Sequence, residues 1–260
     1  MFLGMKELGL RLTVDGPVAR VVLDRPEVRN AQTPAMWLAL ADFGTTLPPD
    51  VRVVVVSGEG PSFSAGLDRR LIMGENADGE EPLLTLGAKP AAEVHATIAA
   101  FQAGFSWLRR PEIVSIAVVQ GHAVGAGFQL ALACDLRVVT PDARFSMREP
   151  ALGLVPDLGG TQPLVQLVGY SRALEICATS RWVEADEARE LGLANIVVPA
   201  EELAGTVKDL SEALLAPLPG AIRETKALLL GAADRPYEEQ LKAEREAQER
   251  RLKELLASFG

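Results

Sequence analysis

Residues 121–161 read GHAVGAGFQLALACDLRVVTPDARFSMREPALGLVPDLGGT. The stretch joins a turn rich in small residues to an apolar helix, and two acidic residues, Glu149 and Asp157, follow further on. A tight turn at the start of a helix exposes free backbone N–H groups at the positive end of the helix dipole. Such donors can stabilise a negatively charged oxygen, and a nearby carboxylate can transfer a proton beside it. The stretch therefore predicts both a local fold and a site for oxyanion chemistry.

The same plan, in which a strand leads through a glycine-containing turn to a helix, recurs along the chain. The pattern predicts strands at 18–23, 51–57, 113–119, 137–140 and 144–146, and helices at 34–43, from about 67, at 128–134 and at 161–168. We expect Thr161 to cap the last of these helices and Gly169 to follow its end. Repeated strand–strand–helix units indicate an α/β fold that winds as a right-handed coil.

Two segments depart from this plan. Residues 73–90 are polar and contain glycine and proline, which predicts a loop, either at the rim of a binding site or simply solvated. From about Ala200 the pattern is helical and ends in a highly charged helix at 237–256. That helix is either solvated or packs an apolar stripe on the core or on another subunit, with leucines at 241, 252, 255 and 256. We therefore divide the chain into a core, residues 1–199, and a C-terminal helical region, residues 200–260.

The composition limits the functions open to the chain. Its 260 residues suffice for one large domain, and 48% hydrophobic with 23% charged residues is typical of a folded, soluble protein. The net charge of −9 argues against non-specific nucleic-acid binding. The most apolar run, residues 113–134, is interrupted by glycines and polar residues. We therefore expect a buried strand and helix there, and no membrane span.

Cysteine and histidine usage adds further expectations. Cys134 and Cys177 lie in apolar helical contexts, which favours two buried free thiols in a reducing compartment over a disulfide. The start of the chain lacks a secretory signature, and we expect a cytoplasmic location. No metal site is expected, since the two cysteines and two histidines lie far apart in the sequence. His122 is interpreted as a structural residue near the turn and His95 as structural or exposed. The glycine patterns also fit no dinucleotide fingerprint, P-loop or serine-hydrolase elbow.

Five motifs occur along the chain in a characteristic order and spacing. They are LDRPEVRNA at 23–31, FSAGLD at 63–68, GHAVGAGFQLALACD at 121–135, FSMREPALGLVPDLGGT at 145–161 and ADEARELGL at 185–193. Together they resemble the crotonase superfamily, the enoyl-CoA hydratase/isomerase family, over about residues 10–250. The resemblance implies a ββα spiral core and a C-terminal α-helical trimerisation region. It also implies an acyl-CoA thioester substrate, of which coenzyme A is a part, no separate cofactor, and a homotrimer or homohexamer.

The resemblance also implies site residues. Two backbone N–H groups hold the thioester carbonyl in family members, and here they would be those of Ala65 and Ala126. Small side chains there would let the carbonyl approach the main chain. The same loops would bind the substrate and its CoA moiety through Arg25, Val28, Arg29, Ser64, Gly66, Leu67, Asp68, Gly125 and Gln129. Arg69 and Arg70 are, with Arg25 and Arg29, candidates for the CoA phosphates, although an ordinary surface arginine is an equally good interpretation of each of the four.

The chain differs from the hydratases of the family at one key position. Those enzymes activate a water between two glutamates, and here Gln129 stands at the first position and Glu149 at the second. A glutamine cannot exchange a proton at neutral pH. Dienoyl-CoA isomerases of the family carry an aspartate eight residues after the second glutamate position, where this chain has Asp157. The resemblance therefore implies an isomerase that uses Glu149 as acid and base and Asp157 as a second proton carrier or orienting group.

Three functions remain open on the sequence alone. The first is a shift of a double bond in an enoyl-CoA or dienoyl-CoA during fatty acid metabolism, for which one carboxylate suffices. The carboxylate removes a proton, the hole stabilises the thioester enolate, and burial should raise the pKa of the carboxyl and improve it as a base. The second is a hydratase that tolerates Gln129, and the third is a catalytically silent acyl-CoA-binding protein. Without the resemblance, a surface ion pair for Glu149 and a turn or cap role for Asp157 are the simpler interpretations.

Overall fold

A computed structural model describes residues 5–76 and 79–258, which form two β-sheets. The strands are β1 (Leu10–Asp15), β2 (Val18–Leu23), β3 (Val53–Gly58), β4 (Val114–Val119), β5 (His122–Val124), β6 (Leu136–Val139), β7 (Arg144–Ser146), β8 (Val183–Glu184) and β9 (Ile196–Val197). One sheet has the order β1-β2-β3-β4-β6-β9 and the other the order β5-β7-β8. Pairing is antiparallel between β1 and β2 and between β7 and β8, and parallel elsewhere.

Helices occupy most of the connections, as parallel strands require. They are α1 (Pro34–Thr46), α2 (Arg69–Ile72), α3 (Ala91–Ser106), α4 (Ala126–Ala133), α5 (Thr161–Val168), α6 (Tyr170–Thr179), α7 (Ala185–Glu190), α8 (Ala200–Leu215), α9 (Pro219–Gly231) and α10 (Tyr237–Ser258). Short 3₁₀ turns include Pro26–Val28, Leu83–Ala88 and Pro150–Leu152. The predicted α/β class is therefore observed.

The central strands are buried on both faces. Val54 and Val56 of β3 belong to the main hydrophobic core, whereas Val53 and Val55 belong to a second cluster that includes Val207 of α8. Two-sided burial explains why β3 contains four consecutive valines and no alternating polar residues. The sheet is thereby fixed between the core and the first helix of the C-terminal region.

Most predicted elements lie within one or two residues of the observed ones. The strands at 18–23 and 144–146 and the helix at 161–168 have the predicted bounds. The helix predicted from 128 begins earlier, at Ala126, which places the glycine turn directly at its N-terminus. The prediction of Thr161 as the cap was wrong, because Gly160 precedes the helix and no side chain caps it. Gly169 follows the end of this helix with φ +78°, as predicted.

The thiols and histidines take the following positions. Cys134 is buried, and burial raises its pKa to about 12, whereas Cys177 is only half-buried, so the expectation of two fully buried thiols was wrong. Both cysteines are free. His95 is exposed, and His122 lies on β5, where its Nδ1 is 3.2 Å from Ser62 Oγ. Across the part of the chain that is described, no helix has the length and apolar character needed to cross a membrane.

The C-terminal region is joined to the core through an ion pair between the buried Lys226 and the half-buried Asp135. Lys226 of α9 is 8% exposed, and its ammonium donates to Asp135 Oδ2 and to the Ile113 carbonyl, both at 2.7 Å. Asp135 also accepts hydrogen bonds from Ser115 N–H and Oγ, at 2.7 and 2.9 Å. The last helix is less covered: Leu252 and Leu256 of α10 are 57% and 76% exposed. Trimer formation through this region stays a prediction.

We predict that Lys226→Met lowers the free energy of unfolding by roughly 1–3 kcal/mol, because removal of the ammonium leaves the half-buried Asp135 carboxylate without its cation. Urea unfolding at pH 7 measures the change. Lys208→Met is the matched control, since Lys208 pairs with Glu212 on the exposed face of α8, and its loss should change little. Equal losses of stability in the two variants would contradict this account.

Candidate active site

Two backbone segments meet at the N-terminus of α4. Ser64 N–H donates to the His122 carbonyl at 2.8 Å, and Val124 N–H donates to the Ser64 carbonyl at 3.0 Å. Gly66 has φ +84°, and a β-carbon added to it would lie 2.4 Å from the Val124 carbonyl oxygen and 3.4 Å from Ala126 N. Only glycine satisfies both the backbone conformation and the close contact. The FSAGLD loop is thus held against the first turn of α4.

Where these segments meet, the cavity-lining residues Leu67 and Ala126 have backbone N–H groups without an acceptor in the described part of the chain. Ala126 is the first residue of α4, and its N–H has no acceptor within the helix. Leu67 pairs with Gln32 in a parallel bridge. There Gln32 N–H donates to the Gly66 carbonyl and Asp68 N–H donates to the Gln32 carbonyl, which directs the N–H of Leu67 to the other side. Among the described residues neither N–H finds a protein acceptor, and both residues line the same cavity.

The prediction that the Ala65 N–H belongs to this pair was wrong. Ala65 N–H donates to the Arg29 carbonyl at 2.8 Å and is therefore engaged. The available donors on the two segments are instead those of Leu67 and Ala126. Ala65 and Leu67 would face the same side of a regular strand, but Gly66 between them has φ +84°, so their N–H groups take different directions.

Glu149 supplies a buried carboxyl next to these donors. It lies immediately before the 3₁₀ turn Pro150–Leu152 and lines the cavity, and its carboxyl atoms are 3.3–3.5 Å from where a β-carbon on Gly125 would lie. One oxygen, Oε1, accepts a hydrogen bond from Gln129 Nε2 at 2.7 Å. The other, Oε2, is buried without a hydrogen-bond partner among the described residues. Such an unpaired polar atom is uncommon and points to a role in function.

Burial sets the protonation behaviour of both carboxyls. Desolvation is the main cause that raises the pKa of Glu149 above its ordinary value, and the charge of Asp157 raises it further. The hydrogen bond from Gln129 acts in the opposite direction. Burial also raises the pKa of Asp157, which lines the same cavity and whose carbonyl accepts a hydrogen bond from Gln102 of α3 at 2.7 Å. The two acidic residues predicted from the sequence therefore share one site.

The cavity has a volume of about 720 Å³ and mostly apolar walls. Its apolar lining comes from α1, α2, the turn Leu83–Ala88, α3 and the segment after Glu149. The lining includes Trp37, Ile72, Met73, Leu83, Leu84, Leu86, Val94, Ile98, Phe101, Leu154, Val155 and Leu158. Met73, Leu83, Leu84, Leu86 and Gly87 of the segment 73–90 thus line the cavity, and positions 77 and 78 lie outside the described residues. Of the two readings of this loop, the rim of a site is the one observed.

Three residues predicted to bind substrate are buried and do not line the cavity. Ser64 is fully buried; its Oγ donates to the Asn30 carbonyl at 2.8 Å and accepts from Gln32 Nε2 at 2.9 Å. Gln129 is fully buried and does not line the cavity. Asp68 is 5% exposed, accepts from Arg70 N–H at the start of α2, and forms ion pairs with the Arg70 and Arg25 side chains. The hydrogen bond from the Arg70 side chain is the main cause that lowers the pKa of Asp68.

The remaining predicted residues divide between the cavity and its surroundings. Gly66, Leu67 and Gly125 line the cavity, and so does Arg69. Arg25, Val28 and Arg29 flank or belong to the 3₁₀ turn Pro26–Val28 and do not line it. Val28 and Arg29 are exposed beside the FSAGLD loop. Their roles toward a CoA moiety stay predictions.

These features define a class of protein. Converging N–H groups stabilise an oxyanion, a buried carboxyl with a raised pKa is suited to proton transfer, and apolar walls exclude water. The site is therefore that of an enzyme in which negative charge develops on an oxygen while a proton moves. Among the described residues, no cluster of three or more His, Cys, Asp or Glu side chains is arranged to hold a metal ion.

Comparison with known proteins places the chain in a family. The family model described as enoyl-CoA hydratase/isomerase matches residues 13–256. A carnitinyl-CoA dehydratase of Salmonella enteritidis is 34% identical over 234 residues, 88% of this chain and 83% of that protein. The peroxisomal Delta(3,5)-Delta(2,4)-dienoyl-CoA isomerase of Arabidopsis thaliana is 29% identical over 238 residues, 89% of this chain and 84% of that protein. The chain therefore belongs to the enoyl-CoA hydratase/isomerase family, and the predicted crotonase membership is confirmed.

Solved structures agree. A Thermobifida fusca protein, provisionally assigned as an enoyl-CoA hydratase and crystallised in complex with acetoacetyl-CoA, is 52% identical, with a TM-score of 0.92. The match covers 96% of this chain and 97% of that one. The same protein was also crystallised with CoA, at 51% identity and a TM-score of 0.92, covering 97% of this chain and 96% of that one. These similarities support the predicted crotonase-like fold.

We predict that Glu149→Gln stabilises the protein at neutral pH. Burial raises the pKa of Glu149 in the folded state. The contribution of its protonated carboxyl to the free energy of unfolding is therefore complete below the unfolded-state pKa, and it is lost as pH rises through the folded-state pKa. The variant has no charge to bury. Over that pH interval its free energy of unfolding should therefore rise relative to that of the wild type by at most about 1.4 kcal/mol per pH unit. Urea unfolding from pH 4 to pH 8 measures the difference.

The control is Glu238→Gln, which changes an exposed carboxyl on α10. Its stability relative to the wild type should stay nearly constant over the same range. If Glu149→Gln showed the same flat profile, the Glu149 carboxyl would not be buried as described.

Proposed function

We propose that this protein shifts a carbon–carbon double bond in an enoyl-CoA or dienoyl-CoA. One observation carries the proposal: within residues 5–76 and 79–258, Glu149 Oε2 and the N–H groups of Leu67 and Ala126 have no hydrogen-bond partner, and all three residues line one cavity. A base and an oxyanion hole in one apolar cavity are the two requirements for making and quenching a thioester enolate.

The reaction proceeds by moving one proton. The thioester carbonyl accepts hydrogen bonds from Leu67 N–H and Ala126 N–H, and Glu149 removes a proton from the carbon next to the carbonyl or from one conjugated with it. The electron pair of the broken C–H bond passes into the conjugated enolate, whose negative charge rests on the thioester oxygen. Return of the proton to a different carbon moves the double bond and regenerates the carboxylate. Loss of one N–H donor from such a hole typically costs on the order of 3 kcal/mol in the transition state.

Asp157 serves as a second proton carrier or as an orienting group. It lines the cavity with Glu149, and its charge raises the pKa of Glu149. Two carboxyls of unequal environment can divide the tasks of removing and returning a proton. A dienoyl-CoA, in which the two carbons lie far apart along the chain, would require this division. The similarity to the dienoyl-CoA isomerase of Arabidopsis thaliana supports this variant.

The arrangement of Gln129 argues against water addition. A hydratase needs a second side chain that holds and activates the water, and both polar ends of Gln129 are engaged with the protein. The similarity to carnitinyl-CoA dehydratase keeps the hydratase–dehydratase alternative open for testing.

A CoA thioester is proposed as the ligand because the Thermobifida fusca relative was crystallised with acetoacetyl-CoA and with CoA. The exposed Arg29 and Val28 and the cavity-lining Arg69 lie on or beside the FSAGLD loop and are available for the CoA moiety. Assembly as a homotrimer or homohexamer and a cytoplasmic location remain predictions.

We predict that the wild-type protein isomerises a 3-enoyl-CoA and that Glu149→Gln lowers kcat by roughly 10²–10⁴-fold, the usual contribution of a general acid–base group. KM should change little, since the variant keeps the shape of the side chain. The appearance of the conjugated 2-enoyl thioester in deuterated water, with mass spectrometry to detect exchange, measures both turnover and proton transfer. Glu238→Gln serves as the activity control.

Other outcomes identify the alternatives. Unchanged turnover in Glu149→Gln would remove that residue from the mechanism. Addition of water to crotonyl-CoA is seen as loss of its conjugated absorbance. If that reaction were faster than isomerisation and were accelerated by Gln129→Glu, the protein would be a hydratase. Binding of acyl-CoA by calorimetry, without conversion of enoyl, dienoyl or cyclic thioesters, would establish the silent binding protein.

A further inference from the structure

Every polar atom of the Gln129 amide is directed at a segment that carries an acidic residue. Its Nε2 donates to Glu149 Oε1 at 2.7 Å, and its Oε1 accepts from Leu158 N–H at 2.9 Å and from Gly160 N–H at 3.2 Å. The residue is fully buried in the first turn of α4. One side chain therefore links the Glu149 carboxyl to the turn that follows Asp157.

The bond from Gln129 determines which oxygen of Glu149 is free. Since Oε1 is occupied by the amide, Oε2 is the oxygen left without a partner. The donor is held in place from the other side, because two backbone N–H groups fix the amide oxygen of Gln129 and thus the orientation of its NH₂ group. A fixed donor on one oxygen leaves the carboxyl little freedom to rotate.

The local sequence is adapted to this contact. A β-carbon on Gly160 would lie 2.7 Å from Gln129 Cγ and 3.2 Å from its Oε1. The backbone of Gly160, at φ −76°, would accept any residue. Glycine is therefore required here by the close packing of Gln129 and not by backbone conformation.

An amide is also the side chain that fits this environment. A glutamate at position 129 would place a second carboxylate 2.7 Å from Glu149, where two like charges repel. An apolar residue would leave the N–H groups of Leu158 and Gly160 buried without acceptors. Only a group that donates on one side and accepts on the other satisfies all three partners.

We propose that Gln129 is a positioning residue, which fixes Glu149 so that Oε2 is the proton-transferring atom and holds the Asp157 turn in register with it. This inference rests on the proposed function for its catalytic consequence, but the fixing of Glu149 can be measured without substrate. The titratable groups near Glu149 are Asp157, the neighbouring Arg148, and Cys177 of α6, whose pKa is raised by burial and further by the Glu149 charge.

The test uses the full chain labelled with ¹³C at the glutamate carboxyl carbons. The Glu149 signal is identified by its absence from Glu149→Gln, and its titration is followed in the wild type, Gln129→Met and Gly160→Ala. Methionine cannot donate to Glu149, and alanine at 160 displaces the Gln129 side chain without changing its chemistry. Both variants should move the Glu149 midpoint to higher pH, because the hydrogen bond that favours the ionised form is lost or weakened.

Kinetics of a 3-enoyl-CoA provide the second measurement. We expect kcat to fall roughly tenfold or more in Gln129→Met, with KM within about threefold and the acid limb of the kcat profile shifted to higher pH. Gly205→Ala is the matched control, since Gly205 lies in α8 with open space around it and should leave both readouts unchanged.

The outcomes separate this inference from the proposed function. An unmoved Glu149 midpoint in folded Gln129→Met and Gly160→Ala, with kcat within twofold of the wild type, would overturn the positioning role. Absence of wild-type turnover with a shifted midpoint would reject the isomerase proposal and uphold the fixing of Glu149. If Gln129→Met fails to fold, Gly160→Ala decides the question.

Discussion

The contact between Gly66 and the Val124 carbonyl is the constraint on which the site depends. A β-carbon added to Gly66 would lie only 2.4 Å from the Val124 carbonyl oxygen, so the FSAGLD loop packs directly against the segment that begins α4. Because of this approach, the free N–H of Leu67 and the free N–H of Ala126 line one cavity although nearly sixty residues separate them. A larger residue would push the segments apart and separate the donors, whatever the other side chains did.

A buried, incompletely bonded carboxyl is the second element, and it is destabilising in itself. Burial without full pairing raises the pKa of Glu149, so the folded protein holds an ionised group less favourably at neutral pH. The surrounding structure tolerates it through one hydrogen bond from Gln129 and through the rigid scaffold of α4. Such a local loss of stability is characteristic of sites that perform proton transfer.

Local patterns predicted the elements and several site residues, whereas long-range contacts determined the rest. The small-residue turn before α4 predicted free backbone N–H groups beside the acidic residues Glu149 and Asp157, and the resemblance to a known family led to Ala126. The choice between Ala65 and Leu67 depended on the pairing of Gln32 with Leu67, which brings together distant parts of the chain. The contacts of Gln129 were not predicted, because its partners, Glu149, Leu158 and Gly160, become neighbours only in the fold. The short strands β5, β8 and β9 are likewise defined by their pairing. Strand β1 differs, because its alternating sequence LRLTVD is a local signal from which the strand could have been predicted.

The most direct test of the account is a crystal structure of the protein with a bound acyl-CoA. The account predicts that the thioester oxygen lies within hydrogen-bonding distance of both Leu67 N and Ala126 N, with the adjacent carbon facing the Glu149 carboxyl. A thioester oxygen bound elsewhere in the cavity, or a reacting carbon out of reach of Glu149, would contradict it.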